Sequence, residues 1–271
     1  MHPGAPAGAP PGHMPLGAAQ RQRALALEAE LEGRLATRVE PFESGLALFR
    51  EDLPRVSELN LLRLDAGAEA VDAATLMEFL DHLQATLPQR SMRVVEDAAA
   101  DGLRPHFAAA GWVVRRVTLM AQRRPPDRPV DVSGVDEVGL PRLADARAAT
   151  LRRAHRDLDS AEQMAVIGST GADGVETRAF AAAFGMDVAA YAVTRQVGEA
   201  AKITEVDATD RSSGKGLGRA VVWGAVRALR ASGAKLIVVE AGDDDTWGQW
   251  TFHRLGFEEI GHLHRFVRPW G

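Results

Sequence analysis

A glycine-rich segment between a strand-like run and a helix-like run is the part of the sequence best suited to bind an anion. It reads Arg211-Ser-Ser-Gly-Lys-Gly-Leu-Gly-Arg219. The glycines stand at alternate positions, which allows backbone N–H groups to approach a ligand closely. The helix predicted from Leu217 directs its positive end to the same place, so the segment suits a phosphate or a pyrophosphate. A purely structural turn is the alternative.

The spacing of these glycines excludes two common phosphate loops. A Walker A loop needs Gly, four residues and then Gly-Lys-Ser or Gly-Lys-Thr, but Gly216 follows Lys215 here. A dinucleotide-binding turn needs Gly-x-Gly-x-x-Gly, but Gly218 comes one position too early. Lys215 and Arg219 add positive charge that can reach phosphate oxygens. The segment therefore predicts an anion site that is neither a Walker A loop nor a dinucleotide-binding turn.

Alternating strand-like and helix-like runs surround this segment and predict an α/β protein. Residues 201–208 read as a strand, 217–231 as a helix and 236–240 as a buried strand. Three prolines within residues 123–129 predict a linker. We therefore expect a disordered tail over 1–18, a first module over 19–122, a linker over 123–133 and a second module over 134–271.

The two modules present similar motifs in the same order. The first reads Asn60-Leu-Leu-Arg-Leu-Asp65, Arg93-Val-Val-Glu96 and Phe107-x-x-x-Gly111-Trp112. The second reads Lys202-Ile-Thr-Glu-Val-Asp207, Ile237-Val-Val-Glu240 and Phe252-x-x-x-Gly256-Phe257. This order predicts a duplication, although β-α-β-α-β units resemble one another in any case. The first module has Glu69 and Asp72 where the second has glycines, so it should not bind phosphate.

Composition narrows the class of protein further. The 271 residues include 32 Lys and Arg against 37 Asp and Glu, a net charge of −5, which argues against a dedicated nucleic-acid binder. With no cysteine, the chain can form neither disulfides nor thiolate metal sites nor a cysteine nucleophile. No apolar run approaches the roughly 18 residues that a membrane span needs. These features suit a cytoplasmic protein.

Three motifs of the second module resemble the GNAT N-acetyltransferase superfamily. They are Gly216-x-Gly218 after a strand, Asp244-Asp-Thr-Trp247, and Phe252-His-Arg-Leu-Gly-Phe257. The resemblance covers residues 135–268, and the first half resembles a degenerate second module of a tandem GNAT protein. It implies an α/β (α+β) fold of two modules. Each module would have a mixed, mostly antiparallel sheet with a splayed central strand pair, flanked by helices.

The resemblance also implies an activity. The protein would be an acyl-CoA-dependent N-acyltransferase that transfers acetyl directly from acetyl-CoA to a primary amine, without a metal. The acceptor would be a small molecule or a peptide, and we expect neither nucleic acid nor membrane as a partner; a homodimer is possible. A non-catalytic acyl-CoA-binding regulatory or sensor protein is the alternative.

The residues expected to bind acetyl-CoA follow from the same resemblance. They are Val206, Asp207, Ala208, Ser213, Gly214, Lys215, Gly216, Leu217, Gly218, Arg219, Trp247 and Phe252. Ser213 stands where the family has Arg or Gln, but its hydroxyl can still donate to phosphate. Phe252 stands where many members have a tyrosine that protonates the departing thiolate. A thiol with a pKa of about 8.5 can leave without strict acid help.

One carboxylate is expected to act as the general base, because a protonated amine is not a nucleophile. Glu205 and Asp207 both lie on the strand before the glycine segment. We predict Glu205, since Asp207 has the counterpart Asp65 in the module without a phosphate loop. His262 and His264 share one strand face but lack a third ligand at a suitable spacing, so no metal is expected.

Overall fold

The structure, a computed structural model, describes most of the two modules. The described residues are 16–65, 71–154, 158–168, 171–184, 187–208 and 216–268. Ser213, Gly214 and Lys215 lie outside the described residues, and so does the predicted tail up to residue 15. Among the helices of the described residues, none is long and apolar enough to cross a membrane.

The described residues form seven α-helices and eleven strands. The helices are α1 (Leu16–Leu35), α2 (Ala73–Leu83), α3 (Asp97–Ala109), α4 (Ala144–Ala154), α5 (Ser160–Gly168), α6 (Leu217–Ala231) and α7 (Thr246–Arg254). The strands are β1 (Arg38–Phe42), β2 (Gly45–Phe49), β3 (Leu61–Leu64), β4 (Arg90–Val94), β5 (Val113–Gln122), β6 (Val135–Val138), β7 (Glu176–Phe184), β8 (Asp187–Val197), β9 (Ala200–Ala208), β10 (Leu236–Gly242) and β11 (Phe257–Arg268). Short 3₁₀ turns cover Ser57–Leu59 and Leu140–Leu143.

All eleven strands belong to one continuous sheet, in the order β1-β2-β3-β4-β11-β5-β10-β9-β8-β7-β6. The β3–β4 and β9–β10 pairs are parallel and the other pairs are antiparallel. The two modules exchange their last strands: β5 pairs with β10 of the second module, and β11 pairs with β4 of the first. The predicted mixed, mostly antiparallel α/β fold is confirmed. The shared sheet was not foreseen.

Side-chain alternation along the central strands assigns the helices of the second module to two faces. Val239 of β10 packs with α6 and α7, on what we call the α6 face. Its neighbour Val238 packs with Leu27 and Leu31 of α1, on what we call the α1 face. In the first module, α2 and α3 pack on β3 and β4 around Phe107, a side chain with no exposed surface.

The predicted splay of the central strands is present in the second module. Parallel pairing of β9 with β10 ends at Ile203 and Val239, although both strands continue beyond these residues. On the other side of β9, Val193 pairs with Glu205 but Thr194 pairs with Ile203, so Thr204 is an extra residue. Such a bulge bends its strand. The strands therefore diverge where β9 bulges.

The register of the parallel pairs differs between the two modules. Arg63 pairs with Arg93 in the first module, whereas Ile203 pairs with Val239 in the second. Asp207 therefore lies four residues beyond the part of β9 that pairs with β10, while Asp65 follows directly after Leu64, which pairs with Val94 of β4. Residues that match in the sequence motifs of the two modules therefore do not always have equivalent positions in the sheet.

Candidate active site

The start of α6 has the backbone geometry that an anion site requires. Gly216 adopts φ = +73°, in the left-handed region that favours glycine, and an added Cβ would meet nothing within 4 Å. The Ala220 N–H donates to Gly216 O at 3.0 Å, which is the first helical bond. The N–H groups of the first turn have no intrahelical acceptors, as at the start of any α-helix.

Gly218 brings three elements together. A Cβ added at this residue would lie 2.8 Å from Cζ2 of Trp247 in α7 and 3.5 Å from Cβ of Ala208 in β9. The Trp247 ring therefore packs directly on the first turn of α6, while 47% of this residue remains exposed. The absence of a side chain at Gly218 has a packing reason, whether or not a ligand lies nearby.

Arg219 faces a cavity of about 360 Å³ at the start of α6. Its Nε atom is buried and has no hydrogen-bond partner. Gly216, Leu217 and residues 129–131 of the predicted linker line the same cavity. An arginine and free helical N–H groups beside an open space suit a phosphate group.

The end of β9 offers an unpaired backbone edge toward β10. Val206, Asp207 and Ala208 pair with Ala192, Tyr191 and Ala190 of β8 on their other side. These three residues have no pairing partners on β10, because the parallel pairing of the two strands stops at Ile203. An extended chain that contains amides, such as the pantetheine arm of coenzyme A, can add to such an edge. The residues present therefore fit the coenzyme both at α6 and at β9.

The Glu205 carboxylate is held by Arg147 of α4. The two guanidinium-to-carboxylate hydrogen bonds measure 2.8 Å and 2.7 Å. Arg147 is buried and also donates to Ile167 O at 2.9 Å, whereas the Glu205 side chain keeps 29% of its surface. A carboxylate has about four acceptor sites, and this pair uses two of them. The assignment of Glu205 as general base stays a prediction.

Asp207 takes part in a polar cluster beneath α4. Its carboxylate accepts hydrogen bonds from the Thr150 hydroxyl and from Arg153. The Tyr191 hydroxyl donates to Thr150 Oγ1 at 3.0 Å, and burial raises the pKa of Tyr191 to about 12. The Asp207 side chain is thus engaged by α4, while its backbone lies on the edge of β9 that faces β10.

Phe252 lies in the core of the second module. It is 3% exposed, and its ring centroid is 5.7 Å from that of Phe257. Burial among apolar side chains is enough to explain an aromatic residue at this position, and no ligand is needed for that explanation. Its contact with the cofactor stays a prediction.

A second cavity, the central cavity, lies on the α1 face and reaches the splayed strands. It measures about 700 Å³, and Thr204, Glu240 and Gly242 line its end at the splay. Lys202 Nζ lies 2.6 Å from Glu28 Oε1 and 2.8 Å from Glu240 Oε1. The site thus combines an opening between strands with a polar cavity on the face opposite α6.

The pKa values of two buried carboxylates in this cavity shift in opposite directions. Burial raises the pKa of Glu28 despite the neighbouring Lys202. Burial acts in the same sense on Glu240, but there Lys202, Arg265 and Arg93 outweigh it and hold the pKa of Glu240 well below its usual value. Sequence patterns did not assign Glu28, Lys202, Arg93 or Arg265 to a site; for the strand residues, the available signal was a charged residue within an otherwise apolar strand.

The two histidines form a separate polar group on α3 and β11. His264 Nε2 lies 2.7 Å from Asp97 Oδ1, and His264 Nδ1 lies 3.1 Å from a terminal nitrogen of Arg104. His262 Nε2 lies 3.2 Å from Glu259 Oε1. Within the part of the chain that the structure describes, no group of three or more His, Cys, Asp or Glu residues could hold a metal ion.

Comparison with solved structures identifies the fold. A GCN5-related N-acetyltransferase from Kribbella flavida has a TM-score of 0.61 at 17% identity, covering 96% of this chain and 98% of that one. A functionally unknown conserved protein from Staphylococcus epidermidis has a TM-score of 0.62 at 12% identity, covering 86% and 94%. A tandem GNAT protein from the clavulanic acid biosynthesis pathway has a TM-score of 0.54 at 15% identity, covering 84% and 79%.

These similarities show that the chain has the GNAT fold. They extend over both modules, as the coverage of the tandem GNAT protein indicates. The sequence itself matches no family model and no curated protein. At such identities the similarity concerns the fold alone, so the activity has to be argued from the site.

Proposed function

We propose that the protein transfers the acetyl group of acetyl-CoA to a primary amine. The observation that carries the proposal is the divergence of β9 from β10 after Ile203 and Val239. The divergence opens an unpaired strand edge close to the start of α6, where a Cβ added at Gly218 would lie 3.5 Å from Cβ of Ala208. A phosphate site at a helix start and a slot for an amide-containing arm are together what this coenzyme requires.

Bound acetyl-CoA supplies a thioester whose carbonyl carbon an amine can attack. The first turn of α6 and Arg219 hold the pyrophosphate, and the free edge of β9 orients the arm. Glu205 accepts the amine proton through a water molecule, using the acceptor sites that Arg147 leaves open. The new C–N bond replaces the C–S bond, and the thiolate takes a proton from solvent.

A second candidate is an acyl-CoA-binding protein without turnover. The bidentate pair between Arg147 and Glu205 favours it, because the pair occupies acceptor sites of the carboxylate that a water molecule or an amine would use. The residue type at position 252 also favours it, because a phenylalanine has no proton to give to the thiolate. The two candidates share the coenzyme site and differ only in chemistry.

Acetyl transfer to a panel of amines, followed through release of the coenzyme thiol, tests the proposal. We expect Glu205→Gln to lower the rate by about 100-fold or more while acetyl-CoA still binds. Glu199→Gln is the matched control, because Glu199 is an exposed glutamate in the turn between β8 and β9. Binding by the wild type without transfer to any amine at any pH would favour the second candidate.

A further inference from the structure

Arg195 of β8 is a cation without a partner. Its side chain lines the central cavity, and no hydrogen bond or ion pair joins the guanidinium to any residue that the structure describes. Its Nε atom is buried and unsatisfied. Burial lowers the pKa of Arg195, although the nearby Glu205 acts in the opposite sense. A desolvated charge in this state is costly unless an anion reaches it.

The other partly or fully buried cations of the cavity differ from Arg195 in this respect. Lys202 contacts Glu28 and Glu240, Arg93 contacts Glu28 and Glu32, and Arg265 contacts Glu240. Arg195 pairs across the strands with Lys202, so two like charges stand side by side. Such pairs are destabilising. Arg195 is therefore a partly buried positive charge that the carboxylates of the cavity leave without an ion pair.

Arg195 lies close to the point where β9 and β10 diverge. It lies two residues along β8 from Val193, or about 7 Å at the usual rise of a strand, and Val193 pairs with Glu205. Alternation places Arg195 and Val193 on the face that carries Glu205 and Lys202. The start of α6, where the pyrophosphate is expected, is on the opposite face. The missing anion is therefore not a phosphate of the coenzyme.

We infer that Arg195 binds the carboxylate of the acceptor, and that the acceptor is an amine of the amino-acid class. The inference rests on the proposed function and names its substrate class. A guanidinium binds a carboxylate through two parallel hydrogen bonds, which fixes the orientation of the molecule that carries it. An acceptor held in this way extends along β8 and presents its amine toward Glu205.

Matched pairs of ligands test the inference. Free amino acids and their carboxamides are titrated against the full-length protein with coenzyme A present, so that no turnover occurs, and again without it. At least one amino acid should bind about tenfold more tightly than its carboxamide. A second arm uses dipeptides and their C-terminal amides, in which the amine and the carboxylate are farther apart. The arm with the larger acid-over-amide ratio identifies the spacing that fits.

Variants of Arg195 test whether this residue causes the preference for acids over amides. Arg195→Gln should abolish the acid-over-amide ratio, and Arg195→Lys should restore part of it, since lysine is a point charge without the planar fork. Arg227→Gln, which removes an exposed arginine of α6, should leave the ratio unchanged. Arg195→Gln should not lower the unfolding temperature, because the wild-type charge has no partner to lose.

Several results would overturn the inference. Equal affinity for acids and amides would do so, as would absence of amino-acid binding in either arm, or an unchanged ratio in Arg195→Gln. Direct titration without coenzyme A provides this answer even if acetyl-CoA fails to bind. Failure of the proposed function would instead appear as absence of stabilisation by acetyl-CoA in every variant, or as binding of acetyl-CoA without transfer to any amine.

Discussion

At the scale of single residues, the molecule places buried charges where the strands diverge. Glu240 contacts Lys202 and Arg265, and Glu205 contacts Arg147. A partner removed from a buried ion pair leaves the other charge uncompensated, which costs more than the pair itself contributes. These residues are therefore sensitive positions for stability as well as for ligand binding.

Glu240→Gln should lower the free energy of unfolding at neutral pH by about 3 kcal/mol. Because the folded-state pKa of Glu240 is lowered, its contribution is present above the ordinary pKa of glutamate and is lost as pH falls below it. Denaturant unfolding across this acidic range should therefore show a shallower loss of stability in the variant. Glu199→Gln, which breaks the exposed pair with Lys235, should change stability by less than about 1 kcal/mol. An unchanged pH profile in Glu240→Gln would contradict the assignment.

Gly218→Ala should destabilise the protein by about 1–3 kcal/mol, because the new methyl group displaces the Trp247 ring. Tryptophan fluorescence would report the displacement. Trp247→Ala removes the clash, so the double variant should be more stable than the sum of the two changes predicts. Additive effects in this cycle would show that the two residues do not constrain each other.

At the scale of elements, the strands and helices follow patterns that the sequence makes visible. Hydrophobic periodicity predicted a helix over residues 217–231, and α6 spans Leu217–Ala231. The short edge strand β6 was not predicted, because its Val-Asp-Glu-Val sequence carries little apolar alternation. Helix α3 begins at Asp97, and the alanines at positions 98–100 extend it ahead of the apolar Leu103. Local patterns were sufficient for most elements of the fold.

The candidate site was less predictable, because it depends on how separate elements meet. An anion site at the glycine segment was predicted from its residues, and the divergence of β9 from β10 was expected from the family resemblance. The bulge at Thr204 and the missing partner of Arg195 depend on strand register, which residue types alone do not determine. The pair between Arg147 and Glu205 joins α4 to β9 across 58 residues of sequence.

At the scale of the whole molecule, strand exchange makes the two modules interdependent. Strand β5 of the first module lies between β11 and β10 of the second. Phe266 of β11 is fully buried in the core of the first module, 5.2 Å from the ring of Phe107. The sequence suggested a linker between modules, but it could not show which strands pair across it.

Each module expressed alone should therefore fail to fold. A chain of residues 16–122 lacks both neighbours of β5, and a chain of residues 123–268 lacks the strand between β10 and β11. Far-ultraviolet circular dichroism and chemical denaturation of the separate and mixed chains would check this expectation. The mixture should regain cooperative unfolding. A cooperative transition in either chain alone would contradict the interdependence.

Thermal unfolding with and without acetyl-CoA tests the central proposal most directly. Wild type, Gly216→Glu and Gly233→Glu are compared; Gly233 also has a positive φ and open space, but it lies beyond the far end of α6. At a hundred times its dissociation constant, the coenzyme should add about 2.7 kcal/mol of stability to the wild type and to Gly233→Glu. Gly216→Glu should show no shift. Absence of a shift in all three proteins, or an equal shift in all three, would contradict a coenzyme site at the start of α6.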